Sequence, residues 1–356
     1  MNTNSFHFEY KVPGGKLLVA DVTVEDTIIT STLISGDYFL EPEEAFDDMT
    51  QALVDASTKD SADELKNRLD ASLAKYGESL ALHGFSTADV ALVVKRAVSG
   101  AKDFTDYEWE VLNPGPLPSP LNVALDQYLL EEVQAGRRGP TMRIWDWEDR
   151  AVVFGSYQSY QNEINQEGVE KHGIQAVRRI SGGGAMFMEA GNCVTYSLYL
   201  PEELVAGLSY EQSYEYLDQW VLAALKKLGV NAWYQPINDI TSDNGKIGGA
   251  AQKRINGAVL HHVTMSYDID ADKMMDVLRI GKVKIVDKGI RSAKKRVDPL
   301  RRQTGATREE VVQTLIDTFT SRYASHMGKL SEADLAAGQK LVEEKFSTEQ
   351  WRHRVP

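Results

Sequence analysis

The sequence predicts an α+β protein built as two domains, on three observations. Between residues 6 and 35, β-branched and aromatic residues alternate with turn signals, the pattern of a strand meander. Residues 113–120, Asn-Pro-Gly-Pro-Leu-Pro-Ser-Pro, hold four prolines in eight positions and read as a semi-rigid connector. Beyond them, helical and strand-like stretches alternate to the C-terminus. A chain of 356 residues also exceeds what one hydrophobic core serves, at ~150 residues per domain.

In the first domain, strands are expected over 6–12, 16–24 and 27–34, with Pro13-Gly14-Gly15 turning the chain after the first. Pro42-Glu43-Glu44 opens a helix with proline and acids in its first turn, and Phe46, Met49, Leu53 and Val54 fall on one face. Two further amphipathic helices are expected near 62–75 and 86–99. Residues 1–105 are therefore read as a small α+β unit, 106–120 as a Pro-rich linker and 121–356 as the larger domain. In that domain helices are expected at 121–134, 161–171, 209–228, 308–323 and 331–345. Strands are expected at 143–147, 151–155, 175–179, 193–199 and 259–267.

Composition narrows the function. A net charge of -13 argues against a non-specific nucleic-acid or anionic-membrane binder, so no nucleic acid and no membrane are expected as partners. Cys193 is the only cysteine, which rules out an intrachain disulfide and a cysteine metal cluster. The N-terminus lacks the basic-then-apolar order of a signal peptide, and a cytoplasmic location is expected. Between residues 281 and 302 lie Lys282, Lys284, Lys288, Arg291, Lys294, Lys295, Arg296, Arg301 and Arg302, against Asp287 and Asp298. In so acidic a chain they form either a steering patch for a polyanion or a solvated basic surface.

Chemistry concentrates in the stretch from Arg178 to Asn192, where Arg178, Arg179 and Ser181 precede Gly182, Gly183, Gly184 and Ala185. A bare glycine backbone lets an anion approach closely while a guanidinium neutralises it, although an idle glycine-rich hairpin would look the same. Two further segments supply what a nucleotide-activating site needs: Asn238-Asp239, and Lys246 flanked by Gly245, Gly248 and Gly249. Activation of a carboxylate requires donors that stabilise charge growing on phosphoryl oxygens as pyrophosphate departs. No Walker P-loop is present.

Taken in order, Arg178-Arg179-x-Ser181-Gly182-Gly183-Gly184-Ala185, Gly191-Asn192, Asn238-Asp239, Gly245-Lys246 with Gly249, Ala250 and Gln252, and His261-His262 resemble the motifs of lipoate-protein ligases. Residues 10–17 and 35–39 are similar to that family's accessory domain, so the resemblance spans nearly the whole chain. It implies a biotin/lipoate ligase-like catalytic domain, a mixed sheet with flanking helices, preceded by a small α+β accessory domain. The order is permuted, because in the family the accessory domain usually follows the catalytic one. It also implies two half-reactions: lipoate (or octanoate) and ATP give an acyl-adenylate, and a lysine of an acceptor then takes the acyl group. The acceptors implied are lipoyl domains of 2-oxoacid dehydrogenase E2 subunits and the glycine cleavage H protein.

Carried over residue by residue, the resemblance makes Lys246 the catalytic cation. It sets Arg178, Arg179, Ser181, Gly182, Gly183, Gly184, Ala185, Asn192, Asn238, Asp239, Gly249, Ala250, His261 and His262 around the adenylate, with Asp239 holding Mg²⁺. One departure stands out: Met188 and Glu189 occupy positions where the family commonly has His-Asp. Two rival readings remain open, an octanoyltransferase of the same fold using Cys193 as nucleophile, and a non-catalytic protein that binds lipoate or lipoyl domains.

Overall fold

In the computed structural model, which describes residues 2–279 and 298–355, the chain divides into two compact units. One comprises the chain up to Asp103 together with Glu203–Tyr210; the other comprises Phe104–Glu202 and the chain from Glu211 onward.

The first unit is a three-stranded antiparallel sheet of β1 (Thr3–Lys11), β2 (Leu17–Glu25) and β3 (Ile28–Gly36) in sequence order, with a short antiparallel pair, β4 (Phe39–Glu41) and β5 (Ala81–His83). Leu18, Ala20, Val22 and Val24 alternate inward along β2 and pack against α1 (Ala45–Gln51), α2 (Ala62–Leu73) and α3 (Thr87–Val98). Capping boxes at Ser61 with Glu64 and Ser86 with Asp89 start α2 and α3 by satisfying backbone N–H groups that have no partner inside the helix.

The second unit holds a mixed sheet. In chain order its strands are β6 (Trp109–Leu112), β7 (Pro116–Leu117), β8 (Thr141–Trp147), β9 (Arg150–Phe154), β10 (Gln175–Arg178), β11 (Met186–Glu189), β12 (Cys193–Pro201), β13 (Ala232–Gln235), β14 (Asp239–Ser242), β15 (Gly245–Ile255), β16 (Ala258–Ser266) and β17 (Ser325–Gly328). The large sheet runs β13-β14-β15-β16-β12-β8-β6-β17, parallel at β8-β6-β17 and antiparallel elsewhere, while β10-β9-β11 form a separate sheet. The flanking helices used below are α4 (Ser119–Gln134), α5 (Tyr160–Glu163), α6 (Gln166–His172), α7 (Tyr210–Lys227), α8 (Ala271–Val277), α9 (Leu300–Thr304) and α10 (Arg308–Arg322).

Three expectations are corrected. Residues 106–120, expected as a semi-rigid Pro-rich linker, contain regular structure: β6 pairs with both β8 and β17, and α4 begins at Ser119, because proline is tolerated in a helix's first turn. The helix expected over 161–171 is broken, since Ile164 is drawn into the core in an extended conformation and bridges to Leu278. The glycine stretch is not a hairpin. It joins β10 to β11, which flank β9 on opposite edges, so it must arch over the end of β9 at Gly155. Of the basic cluster, Lys282 to Arg296 lie outside the described residues, and Arg301 and Arg302 fall in α9.

The crossing at Gly155 leaves no room for a side chain, because a Cβ there would sit 2.2 Å from the Gly183 carbonyl oxygen. Gly155→Ala is therefore expected to lower stability by about 1–3 kcal/mol. Gly184→Ala, where a Cβ meets nothing within 4 Å, should change it by less than ~0.5 kcal/mol. Thermal unfolding of the two variants checks this contrast.

Candidate active site

The site is built on one face of the large sheet. Side chains alternate across a strand, and the antiparallel register sets Ser197 opposite His262 and Thr195 opposite Thr264, with Trp145 and Arg143 of β8 opposite Thr195 and Ser197. These residues share the face covered by α4 and the glycine arch. The adjacent His261 must point the other way, and it reaches Asp218 of α7 through Nε2 at 2.6 Å.

Between the sheet face and the arch lies a cavity of about 240 Å³. Its apolar lining comes from Trp145, Val153, Met186, Phe187, Met188 and Met274. Lys246, Asn238, Gly249 and Ala250 also line it, together with Gly183, Gly184 and Ala185 of the arch. Lys246 Nζ lies 2.7 Å from Asp239 Oδ1, both side chains partly exposed, and a Cβ on Gly249 would stand 3.2 Å from that ammonium. Glycine at 249 thus lets the lysine lie flat across the strand. The two segments that sequence spacing brought forward, 238–239 and 246–250, meet because β14 and β15 pair.

Arg179 lines the cavity but is buried, and its guanidinium shapes the arch. It donates to Ser181 Oγ at 2.9 Å, to the Val153 carbonyl at 3.3 Å, and to the carbonyls of Gly182 and Gly184. Burial pushes it down to about 10, so it stays charged at neutral pH, yet among the described residues no carboxylate is in ion-pair contact with it. A buried cation held by carbonyl dipoles and, without direct contact, by the charge of Asp126, beside the exposed Gly183 and Gly184 backbone, is a potential well for an anion.

Behind the arch runs a buried polar chain. Ser181 Oγ lies 2.7 Å from His262 Nε2, and His262 Nδ1 lies 2.7 Å from Asp126 Oδ2. Asp126 Oδ1 accepts from Tyr199 at 2.6 Å, Ser197 at 2.8 Å and Arg143 at 3.1 Å. Burial alone would raise the Asp126 carboxyl, but the bonds and charges of His262, Arg143 and Tyr199 outweigh it and hold it below the usual range. Burial lowers His262, more than Asp126 raises it, so the imidazole is neutral at pH 7. An ionised Asp126 fixes the proton on Nδ1, and Nε2 accepts from Ser181.

Six expected ligand-facing residues are not among those lining the cavity: Ser181 and Gly182 in the arch, Asp239 beside Lys246, and Arg178, Asn192 and His261. Arg178 stacks over Phe154 and donates to the carbonyls of Gly155, Ser156, Gln158 and Arg352, tying the turn after β9 to the C-terminal segment. Asn192 accepts from the Glu189 N–H and does not line the cavity. His261 is on the opposite face, as above. The Met188-Glu189 departure has a physical account: Met188 is buried in the apolar wall, while Glu189 points outward to Lys273 of α8 at 3.1 Å and Arg150 at 3.5 Å. Asp126, Trp145, Thr195 and Thr264 were not singled out in the sequence. The available signal for Asp126 was two polar residues, Asn122 and Asp126, at i and i+4 on the apolar face of α4.

Cys193, the one thiol, lies in the core and outside the cavity lining. Burial pushes it up to about 12.

A family model for the lipoyl protein ligase A/B catalytic domain matches residues 118–320. A probable lipoate-protein ligase A of Mycoplasma pneumoniae is 30% identical over 231 residues, covering 65% of this chain and 67% of the relative. An octanoyltransferase LipM of Halalkalibacterium halodurans is 27% identical over 274 residues, 69% of this chain and 99% of the relative. The solved structure of a bi-partite lipoate protein ligase from Thermoplasma acidophilum, studied with its E2 lipoyl domain, superposes with a TM-score of 0.61 at 25% identity, covering 70% of this chain and 97% of that one.

Two outcomes follow from these environments. With its thiol near 12, Cys193 has a thiolate fraction of about 10⁻⁴ at pH 8 and should resist iodoacetamide in the native protein while reacting fully in urea, as intact mass will report. For His262, the unfolded chain takes up a proton near pH 6.5 that the native state refuses, so its stabilising contribution is present above that pH and lost as pH falls. Stability should drop by up to ~1.4 kcal/mol per pH unit from this group below pH 6.5. The difference between wild type and His262→Gln in denaturant midpoints at pH 7 and 5.5 measures it.

Proposed function

We propose that this chain, which belongs to the lipoyl protein ligase A/B catalytic family, is an ATP-dependent lipoate-protein ligase. Lipoate or octanoate enters with its tail against the apolar lining of the cavity, among Trp145, Met186, Met188 and Met274, and its carboxylate toward Lys246. A carboxylate oxygen attacks the α-phosphorus of ATP; the acyl-phosphate bond forms and pyrophosphate leaves. A lysine amine of an acceptor domain then attacks the acyl carbon; the C–N bond forms, the C–O bond to phosphate breaks and AMP leaves. Lys246 neutralises phosphoryl charge in both half-reactions, and Arg179 behind the bare arch deepens the anion site.

What carries this reading is Lys246, which lines the same cavity as the apolar side chains and the glycine arch, with Asp239 beside its ammonium. Magnesium fits as a companion of the nucleotide, since a lone carboxylate plus substrate phosphates is a usual way to hold it. Among the described residues, no group of three or more His, Cys, Asp or Glu side chains could hold a metal by itself. The acceptors proposed are E2 lipoyl domains, in keeping with the Thermoplasma relative, and the glycine cleavage H protein. No helix among the described residues is long and apolar enough to cross a membrane, and we place the reaction in the cytoplasm.

The match to an octanoyltransferase, which spans 99% of that relative and 69% of this chain, favours a second reading, transfer of octanoate from a thioester without ATP. The burial of Cys193, with its thiol protonated, weighs against it.

Wild type should exchange labelled pyrophosphate into ATP when lipoate or octanoate is present, and Lys246→Ala should cut that exchange by about 10²–10³-fold. No exchange by folded wild type, or full exchange by the variant, sinks the assignment.

A further inference from the structure

Acyl transfer to an amine has a requirement that a cation and an apolar tail pocket do not meet. The acceptor lysine arrives as an ammonium, and two protons must leave its nitrogen before a neutral amide is formed. A group that stands at the cavity and is unprotonated at working pH would meet it.

His262 has these properties. It lines the cavity, it is neutral, and its Nδ1–H is bonded to the Asp126 carboxylate. The charged and titratable groups around this pair are Asp126 from α4, Arg143 from β8, Tyr199 from β12, and Arg179 and Ser181 from the arch, with His261 of β16 acting from the opposite face. Ser181 is held from both sides. It accepts from Arg179 Nε and therefore has one direction left for its own proton, toward His262 Nε2. A serine serving only as a turn residue would need neither partner.

We infer that Asp126, His262 and Ser181 form a proton-accepting chain for the acyl-transfer half-reaction. It rests on the ligase reading above for its substrate. The ammonium gives its first proton to solvent on entering; as the amine nitrogen bonds to the acyl carbon and AMP departs with the C–O bonding pair, the second proton passes to His262 Nε2 at the cavity wall, and Ser181 gives up its hydrogen bond to that nitrogen. Asp126 remains ionised and stabilises the imidazolium, which then loses its proton to solvent. Ser181 positions the imidazole and is not a nucleophile, because its hydroxyl is fully buried, lies outside the cavity lining and is also bonded to Arg179.

The test separates the two half-reactions. Synthetic lipoyl-AMP and an apo lipoyl domain from an E2 subunit are given to wild type, His262→Gln, Ser181→Ala and Asp126→Asn, and pyrophosphate exchange is measured alongside. In His262→Gln, transfer should fall by about 100-fold or more and lose its acid limb, with a loss at least about tenfold greater than that in exchange. His262→Ala should recover transfer with added imidazole, which also shows that the variant is folded. Equal losses in both half-reactions, an unchanged pH profile or no imidazole rescue would overturn the chain. Wild type that transfers from lipoyl-AMP but shows no exchange would overturn the ATP-dependent reading and leave the chain to be judged on transfer alone. Wild type inert in both assays would overturn both.

Discussion

The second unit depends on one buried anion. Asp126 is almost fully buried and would cost several kcal/mol there if alone. It is made tolerable by Arg143, Tyr199, Ser197 and His262, drawn from three neighbouring strands of the sheet. Those bonds fix how α4 lies on the β8-β12-β16 face and set the orientation and tautomer of His262. Through Ser181 and Arg179 the same network reaches the arch, so that the loop's shape is tied to a helix laid down some fifty residues earlier. Removing one member strands the others, with a typical cost of about 3–5 kcal/mol for a broken buried pair.

The difference between the two faces of the large sheet follows from strand alternation. One face of β12 and β16 carries Thr195, Ser197, His262 and Thr264, while the other carries Tyr196, Leu198, His261 and Val263 under α7. Each of the two adjacent histidines goes to its own aspartate, Asp218 or Asp126. Only the second has a neighbour in the cavity. Glycine at 249 keeps the sheet surface low under Lys246, and glycine at 155 lets the arch pass close over β9. Binding surface and fold are therefore the same set of contacts.

Much of this was legible in the sequence. The meander of the first unit, α4, α7 and β12 follow from period-2 and period-3.6 patterns, and the ordered motifs brought Arg179, Asn238 and Lys246 forward together. What was not legible depended on pairing. The spacing of Arg178 and Arg179 cannot say that one guanidinium turns to the C-terminal segment and the other to the arch; the parallel pairing of β10 with β9 decides that. His261 and His262 look equivalent until β16 has a covered face. The Pro-rich run conceals β6 because a four-residue strand inside a large sheet needs little propensity of its own when both neighbours pair with it. Asp126 was passed over because an acid in an apolar helix reads as a surface residue until its partners are known.

The central claim is that an apolar tail pocket capped by Lys246 and a cationic glycine arch serves to activate a free carboxylate with ATP. The most direct measurement is the intact mass of an apo lipoyl domain after incubation with this protein, lipoate and ATP, with ATP omitted in parallel. The acceptor should gain one lipoyl group on its lysine only when ATP is present. An acceptor that stays unmodified with lipoate and ATP, yet gains an octanoyl group from an octanoyl thioester without ATP, would contradict the account.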